Sequence, residues 1–191
     1  FKWFFHSDKP EAQAALKQFQ TALHQADYRV VEESLEHAEL SGMGTTLTLA
    51  YHLDGQVCVV HVGDSRAYIF EDDALRQITH DHTVPEDMVR RGELQPEQVA
   101  QHPLRHVITN VVGGIKAGVF VEAHALDVHA GDRLLLCSDG LTEMVTNEAI
   151  ATVLRAESDP AAACKRLVAQ ANDAGGRDNI TAVIVRFDPA S

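Results

Sequence analysis

Two aspartates carry the strongest chemical signal in the sequence. Asp139 follows the greasy run Arg133-Leu134-Leu135-Leu136-Cys137-Ser138 and precedes Gly140. Asp178 stands in Gly175-Gly176-Arg177-Asp178-Asn179, directly before the apolar run Ile180-Thr181-Ala182-Val183-Ile184-Val185. An acid at the end of a buried strand is costly unless a cation or several donors compensate it. A glycine beside it lets the backbone approach a bound group closely, or turn with φ > 0. Two such acids at the mouths of two core strands point to a site for hard divalent cations, because Mg²⁺ and Mn²⁺ prefer oxygen ligands. The plainer alternative is that each acid caps a turn, as a single Asp-Gly commonly does. The pair is the stronger signal.

The rest of the chain must position these acids. At 191 residues it is long enough for one domain with a real core. Apolar residues at 45% and charged residues at 23% place it among ordinary globular proteins. A formal charge of −12 argues against nucleic acid as the main partner, since phosphate contacts need clustered Lys and Arg. No apolar run reaches the length of a membrane span, and no signal peptide is visible. Phe1-Lys2-Trp3-Phe4-Phe5 is too short for either role and reads as the end of a core element. With no initiator methionine, the chain reads as an excerpt of something longer. Cys58, Cys137 and Cys164 sit in apolar settings without metal-binding spacing, which predicts free thiols in a reducing cytoplasm.

Ser7-Asp8-Lys9-Pro10-Glu11 opens a helix, with a capping side chain, a proline in the first turn and then an acid. Leu16, Phe19, Leu23, Ala26 and Val30 then form one apolar stripe on an amphipathic helix reaching to about Ala38. From Ser41 the period changes to two. Four consecutive strands are predicted over 45–53, 56–62, 66–70 and 75–79, with Asp54-Gly55 a strong hairpin turn, as an antiparallel meander. From His80 to about Gly114 the pattern is irregular, with short helices over 84–91 and 95–101, where a substrate-contacting flap would sit. Strands follow over 119–126 and 133–138, then helices over 147–157 and 160–174, the second capped by Asp159. A last strand ends near Phe187.

Five segments form an ordered series: Gly42-Met43-Gly44-Thr45-Thr46, Gly63-Asp64-Ser65-Arg66, Thr79-His80-Asp81-His82, Cys137-Ser138-Asp139-Gly140 and Gly176-Arg177-Asp178-Asn179. In order and spacing, from about Ser41 to Asp188, the series resembles the metal-dependent PPM (PP2C-like) protein serine/threonine phosphatases of bacterial type. The resemblance implies an α+β fold, an αββα sandwich of two antiparallel sheets flanked by helices, here as a single domain over 1–191. It implies two Mn²⁺ or Mg²⁺ ions and hydrolysis of phosphoserine and phosphothreonine by a metal-activated water. Asp139 and Asp178 match the two late metal-ligand aspartates and are the expected catalytic acids. Asp81 matches the aspartate that helps to hold a labile third ion. Phosphorylated proteins, the substrates of a bacterial serine/threonine kinase, are the expected partners. Gly63-Asp64-Ser65-Arg66 is a hallmark of the family but reads as a structural turn.

The sequence departs from the family at its start. The family's phosphate-gripping arginine and its early Asp-Gly-x-Gly motif, whose aspartate bridges the two metals, do not occur; Arg29 lies mid-helix. The expectation is that these parts precede Phe1 and that residues 1–191 alone are inactive. A non-catalytic PPM-fold regulatory module is the alternative. Against it stands the retention of Asp81, Asp139 and Asp178, three acids expected to be desolvated. Ser65 as a nucleophile fails, because Gly63-Asp64-Ser65-Arg66-Ala67 lacks the second glycine of a nucleophile elbow. Cys137 lies inside a greasy strand, a poor place for a reactive thiolate. His80 and His82 flank Asp81 and hint at zinc, yet histidines two apart in a loop are a common coincidence, and zinc is not expected.

Overall fold

A computed structural model of the chain describes residues 10–53 and 56–189. By contacts the chain divides into two compact units, residues 1–64 with 80–126, and residues 65–79 with 127–191.

The first unit contains the long helix α1 (Pro10–Glu36) and strands β1 (Gly44–Thr45), β2 (Leu47–Leu53) and β3 (Gln56–Val62). The predicted cap at Ser7 and Asp8, the segment 1–5 and the turn Asp54-Gly55 lie outside the described residues. The apolar stripe of α1 packs as its periodicity demands: Leu16 is buried, and Phe19, Leu23 and Ala26 lie against Cys58, Val60, Val62, Val112 and Val121. β2 and β3 pair antiparallel from Leu47–Val62 to Leu53–Gln56. Strand β7 (Glu122–Asp127) lies on the other side of β3, which is buried along its whole length. Helix α2 (Val84–Arg90) and a 3₁₀ turn at Pro96–Gln101 occupy the irregular segment. The short strand β6 (Val112–Gly113) pairs with β1.

The second unit is a four-stranded sheet in the order β5-β4-β8-β9, formed by β4 (Arg66–Glu71), β5 (Ala74–Gln77), β8 (Arg133–Cys137) and β9 (Ala182–Arg186). Every neighbouring pair is antiparallel. Its core joins Tyr68, Leu135, Cys137 and Ile184 to the apolar faces of α4 (Asn147–Ala156) and α5 (Pro160–Asp173) through Ile150, Leu154 and Leu167. Asp159 caps α5 as expected, its side chain accepting from the Ala162 N–H at 2.9 Å, with Pro160 in the first turn. A short helix, α3 (Asp139–Thr142), which the sequence pattern does not reveal, follows β8 directly.

The expected continuous meander is corrected. Five strands, β1 to β5, form from Gly44 to Gln77 where four were foreseen, and β3 and β4 do not pair; β3 sits between β2 and β7, and β4 between β5 and β8. Alternation specifies a strand and its faces, not its partner. The chain leaves the first sheet at Gly63, whose φ of +110° suits glycine. A Cβ there would also lie 2.3 Å from the Thr46 methyl carbon.

Candidate metal centre

Asp139 and Asp178 are brought together by the pairing of β8 with β9. The register sets Cys137 opposite Ala182, so the residues that follow β8 run beside those that precede β9. The Ser138 hydroxyl fastens the two segments, donating to the Asn179 carbonyl at 3.0 Å and accepting from the Thr181 N–H at 3.0 Å. Gly140 closes the approach: a Cβ on it would lie 2.4 Å from the Asn179 carbonyl oxygen and 3.5 Å from the Asp178 carbonyl carbon. The glycine after the acid is therefore required by this neighbouring backbone. It does not sit in the left-handed region, one of the two roles proposed for it.

Each carboxylate is oriented by its own chain. Asp139 Oδ1 accepts from the Gly140 N–H at 2.8 Å, and Asp178 Oδ1 from the Asn179 N–H at 2.7 Å. Among the described residues neither acid forms an ion pair. The expectation that all three acids are desolvated is corrected. Asp178 is exposed, and Asp139 and Asp81 are half-buried. Both late acids lie beyond the ends of their strands, in segments open to solvent, so burial alone does not account for them.

Asp81 belongs to the first unit, where the backbone on both sides of it is anchored. The His82 N–H donates to the Gly63 carbonyl at 2.7 Å, and His61 Nε2 reaches the His80 carbonyl at 3.1 Å. His61 also meets the Thr48 hydroxyl at 2.9 Å and the Gly63 carbonyl at 2.9 Å. Burial, and then the neighbouring His82, push its pKa down to about 4, so it is a neutral strut.

Two acids that sequence reasoning passed over are among the most buried polar groups. Asp27 is 1% exposed and accepts from the backbone N–H groups of Gly113, Gly118 and Val119 at 2.7, 2.7 and 3.1 Å. It falls four residues after Leu23 and four before Val31, so an acid on the apolar stripe was the available signal. Glu122 faces three histidines: His80 Nδ1 at 2.9 Å, His124 Nε2 at 2.5 Å and His82 Nε2 at 3.2 Å. Burial works against its charge, yet the hydrogen bonds from His124 and His80 outweigh it and hold the carboxyl well below the ordinary range. Reciprocally, the bond to Glu122 raises His80, with burial in part opposing.

The comparisons with known proteins agree on one family. The family model described as Protein phosphatase 2C matches residues 1–175. The serine/threonine phosphatase stp of Listeria monocytogenes is 34% identical over 169 residues, which is 88% of this chain and 67% of that protein. The solved serine/threonine phosphatase of S. agalactiae superposes with a TM-score of 0.86 at 30% identity, covering 95% of this chain and 75% of that one. The solved catalytic domain of the serine threonine protein phosphatase PstP, in complex with two manganese ions, does so with a TM-score of 0.80 at 30% identity, covering 97% of this chain and 75% of that one. This chain thus spans about two thirds to three quarters of these three proteins. With a family model matching most of the chain, relatives at about a third identity and the α+β fold shared with solved phosphatases, the chain belongs to the protein phosphatase 2C family.

Proposed function

We propose that the protein is a metal-dependent protein serine/threonine phosphatase in which Asp139 and Asp178 hold the central Mn²⁺ or Mg²⁺ ions and Asp81 a labile third ion. The observation that carries this reading is the close approach of Gly140 to Asn179, which sets two carboxylates, neither in an ion pair among the described residues, at neighbouring strand ends.

The donor set fits such ions. Asp139 and Asp178 offer carboxylate oxygens, the ligands that hard divalent cations prefer, from positions that leave room for water. Ions held there would supply a water of lowered pKa and offset the charge that develops on the phosphoryl group. The chain itself supplies position. The Gly140 and Asn179 N–H groups each fix one carboxylate oxygen, and Ser138 keeps the two segments from separating. Carboxylates held in this way need little rearrangement on metal binding.

The substrates on this reading are phosphoserine and phosphothreonine in proteins modified by a bacterial serine/threonine kinase, within a reducing cytoplasm. No described helix is long and apolar enough to cross a membrane. The test is phosphopeptide hydrolysis by the full-length protein across a Mn²⁺ series. The expected result is turnover that depends on Mn²⁺ and is lost in both Asp139→Asn and Asp178→Asn. Metal-independent turnover, or full activity in both variants, overturns the proposal.

A further inference from the structure

The histidines around Glu122 form an arrangement that the carboxylate site does not use. His80 Nδ1 and His124 Nε2 both approach Glu122 Oε1, and these three ligand atoms lie within 4.8 Å of one another. The three residues come from two places in the first unit. His80 lies in the loop before α2, and Glu122 and His124 lie two apart on β7, so both reach the same strand face. Glu122 is 10% exposed, His124 26% and His80 62%, so the cluster has a buried floor and one accessible side.

His82 supplies a second, independent sign. Its Nδ1 accepts from the Gly63 N–H at 3.0 Å and lies 2.9 Å from the Asn110 amide, which places its proton on Nε2. That atom is buried and has no hydrogen-bond partner among the described residues, although Glu122 Oε2 is 3.2 Å away. The carboxylate is turned toward His80 and His124 instead. An ion held through Oε1 would let the carboxylate rotate and present Oε2 to the waiting His82 N–H. Such an outer bond commonly orients a metal ligand.

His61 does not join the ligands, although it lies close to His82 and Glu122. Its Nε2 is committed to the Gly63 and His80 carbonyls and its Nδ1 to Thr48. Among the described residues the ion-pair partners of Glu122 are all histidines, so no fixed cation neutralises it. Two imidazoles and one carboxylate, with a fourth position open to water, suit Zn²⁺ and its neighbours in the transition series and suit Mn²⁺ or Mg²⁺ poorly. Metal–ligand bonds of about 2.0–2.2 Å need only a small spreading of atoms already this close.

We propose that His80, Glu122 and His124 form a binding site for one zinc-class transition-metal ion, with His82 orienting the carboxylate from behind. The site is built from residues other than Asp81, Asp139 and Asp178. It also answers the histidine pair flanking Asp81, for which zinc was not expected. Its carboxylate ligand, Glu122, lies 42 residues from His80 in sequence and is supplied, with His124, by β7.

The experiment is a CoCl₂ titration of the full-length protein kept saturated with Mn²⁺, read by visible absorption, with ZnCl₂ competition. Cobalt in a low-coordinate site with imidazole ligands absorbs far more strongly than cobalt in a six-coordinate oxygen site. The expected result is one equivalent of strongly absorbing Co²⁺, displaced by Zn²⁺. His80→Ala and His124→Ala should each weaken it by about tenfold or more. His52→Ala, an exposed histidine on β2, should leave it unchanged. Both site histidines reach solvent, so these variants should fold, and circular dichroism checks that they do. Absence of the absorbing species overturns the proposal. So does an affinity in His80→Ala and His124→Ala unchanged from wild type, or loss of the signal only in Asp139→Asn.

Discussion

Gly140 packs against the backbone of Asn179 so closely that a Cβ in its place would lie 2.4 Å from the Asn179 carbonyl oxygen. That carbonyl also accepts from Ser138, so the Asn179 peptide is held on both sides by the segment carrying Asp139. Gly140→Ala should therefore push the Asp178 segment away. Overpacking against backbone should cost about 1–3 kcal/mol. Mn²⁺ affinity should fall further than stability alone explains, because both acids shift. Urea unfolding beside a Mn²⁺ titration checks this. Unchanged stability with unchanged metal binding would show that the contact is not tight.

Asp27 ties α1 to β6 and the segment after it through three backbone N–H groups. Asp27→Ala leaves buried donors without an acceptor, and each such loss costs about 1–3 kcal/mol. A destabilisation of about 3 kcal/mol or more is expected. Asp27→Asn should cost less, since one side-chain oxygen remains to accept. Thermal unfolding of the two variants gives the answer, and an Asp27→Ala midpoint equal to wild type would refute the clamp.

What was legible in the sequence was what local pattern carries. The stripe Leu16, Phe19, Leu23, Ala26 gave α1, alternation gave β2 to β5, and Asp159-Pro160 gave the start of α5 to the residue. The acids at Asp139 and Asp178 were legible because each borders an apolar strand. Pairing was not, since β3 finds its second neighbour in β7, some sixty residues onward, and nothing in either strand's alternation names the other. The partners of Asp27 lie 86, 91 and 92 residues away, and Glu122 meets His80 across 42. Such contacts arise only once the sheet and helix are assembled. α3 was missed because four residues after a strand show no helical period.

Among the described residues the three cysteines form no disulfide, and they differ in access. Cys58 and Cys137 are buried, while Cys164 is half-buried. A thiol reagent at neutral pH should label Cys164 slowly and the other two only on unfolding. Burial pushes the Cys58 thiol up, so the folded state holds that proton more tightly than the unfolded one. The resulting contribution to stability is intact below the ordinary thiol pKa and is lost as pH rises past it. Mass spectrometry of native and urea-treated protein reads the labelling. Rapid native labelling of Cys58 would contradict its position in the core.

The three acids of the proposed phosphatase site should separate by role in the full-length protein. Asp139 and Asp178 share one pair of strand ends and should act on the same ions. Asp139→Asn and Asp178→Asn each remove a charge from the groups that hold the nucleophile's metals, and members of a cooperating set fail together. A loss of turnover of about 10²-fold or more is expected for either, with little added by the double variant. Asp81 belongs to the other unit, on a loop whose flanking peptides are pinned by Gly63 and His61. Asp81→Asn should thus leave the fold and two bound metals intact, lower turnover less, and recover in part at high Mn²⁺. The measurements are metal stoichiometry and phosphopeptide turnover for the three variants over a Mn²⁺ series. If Asp81→Asn strips both central ions while Asp178→Asn keeps them and stays active, the roles are wrongly assigned.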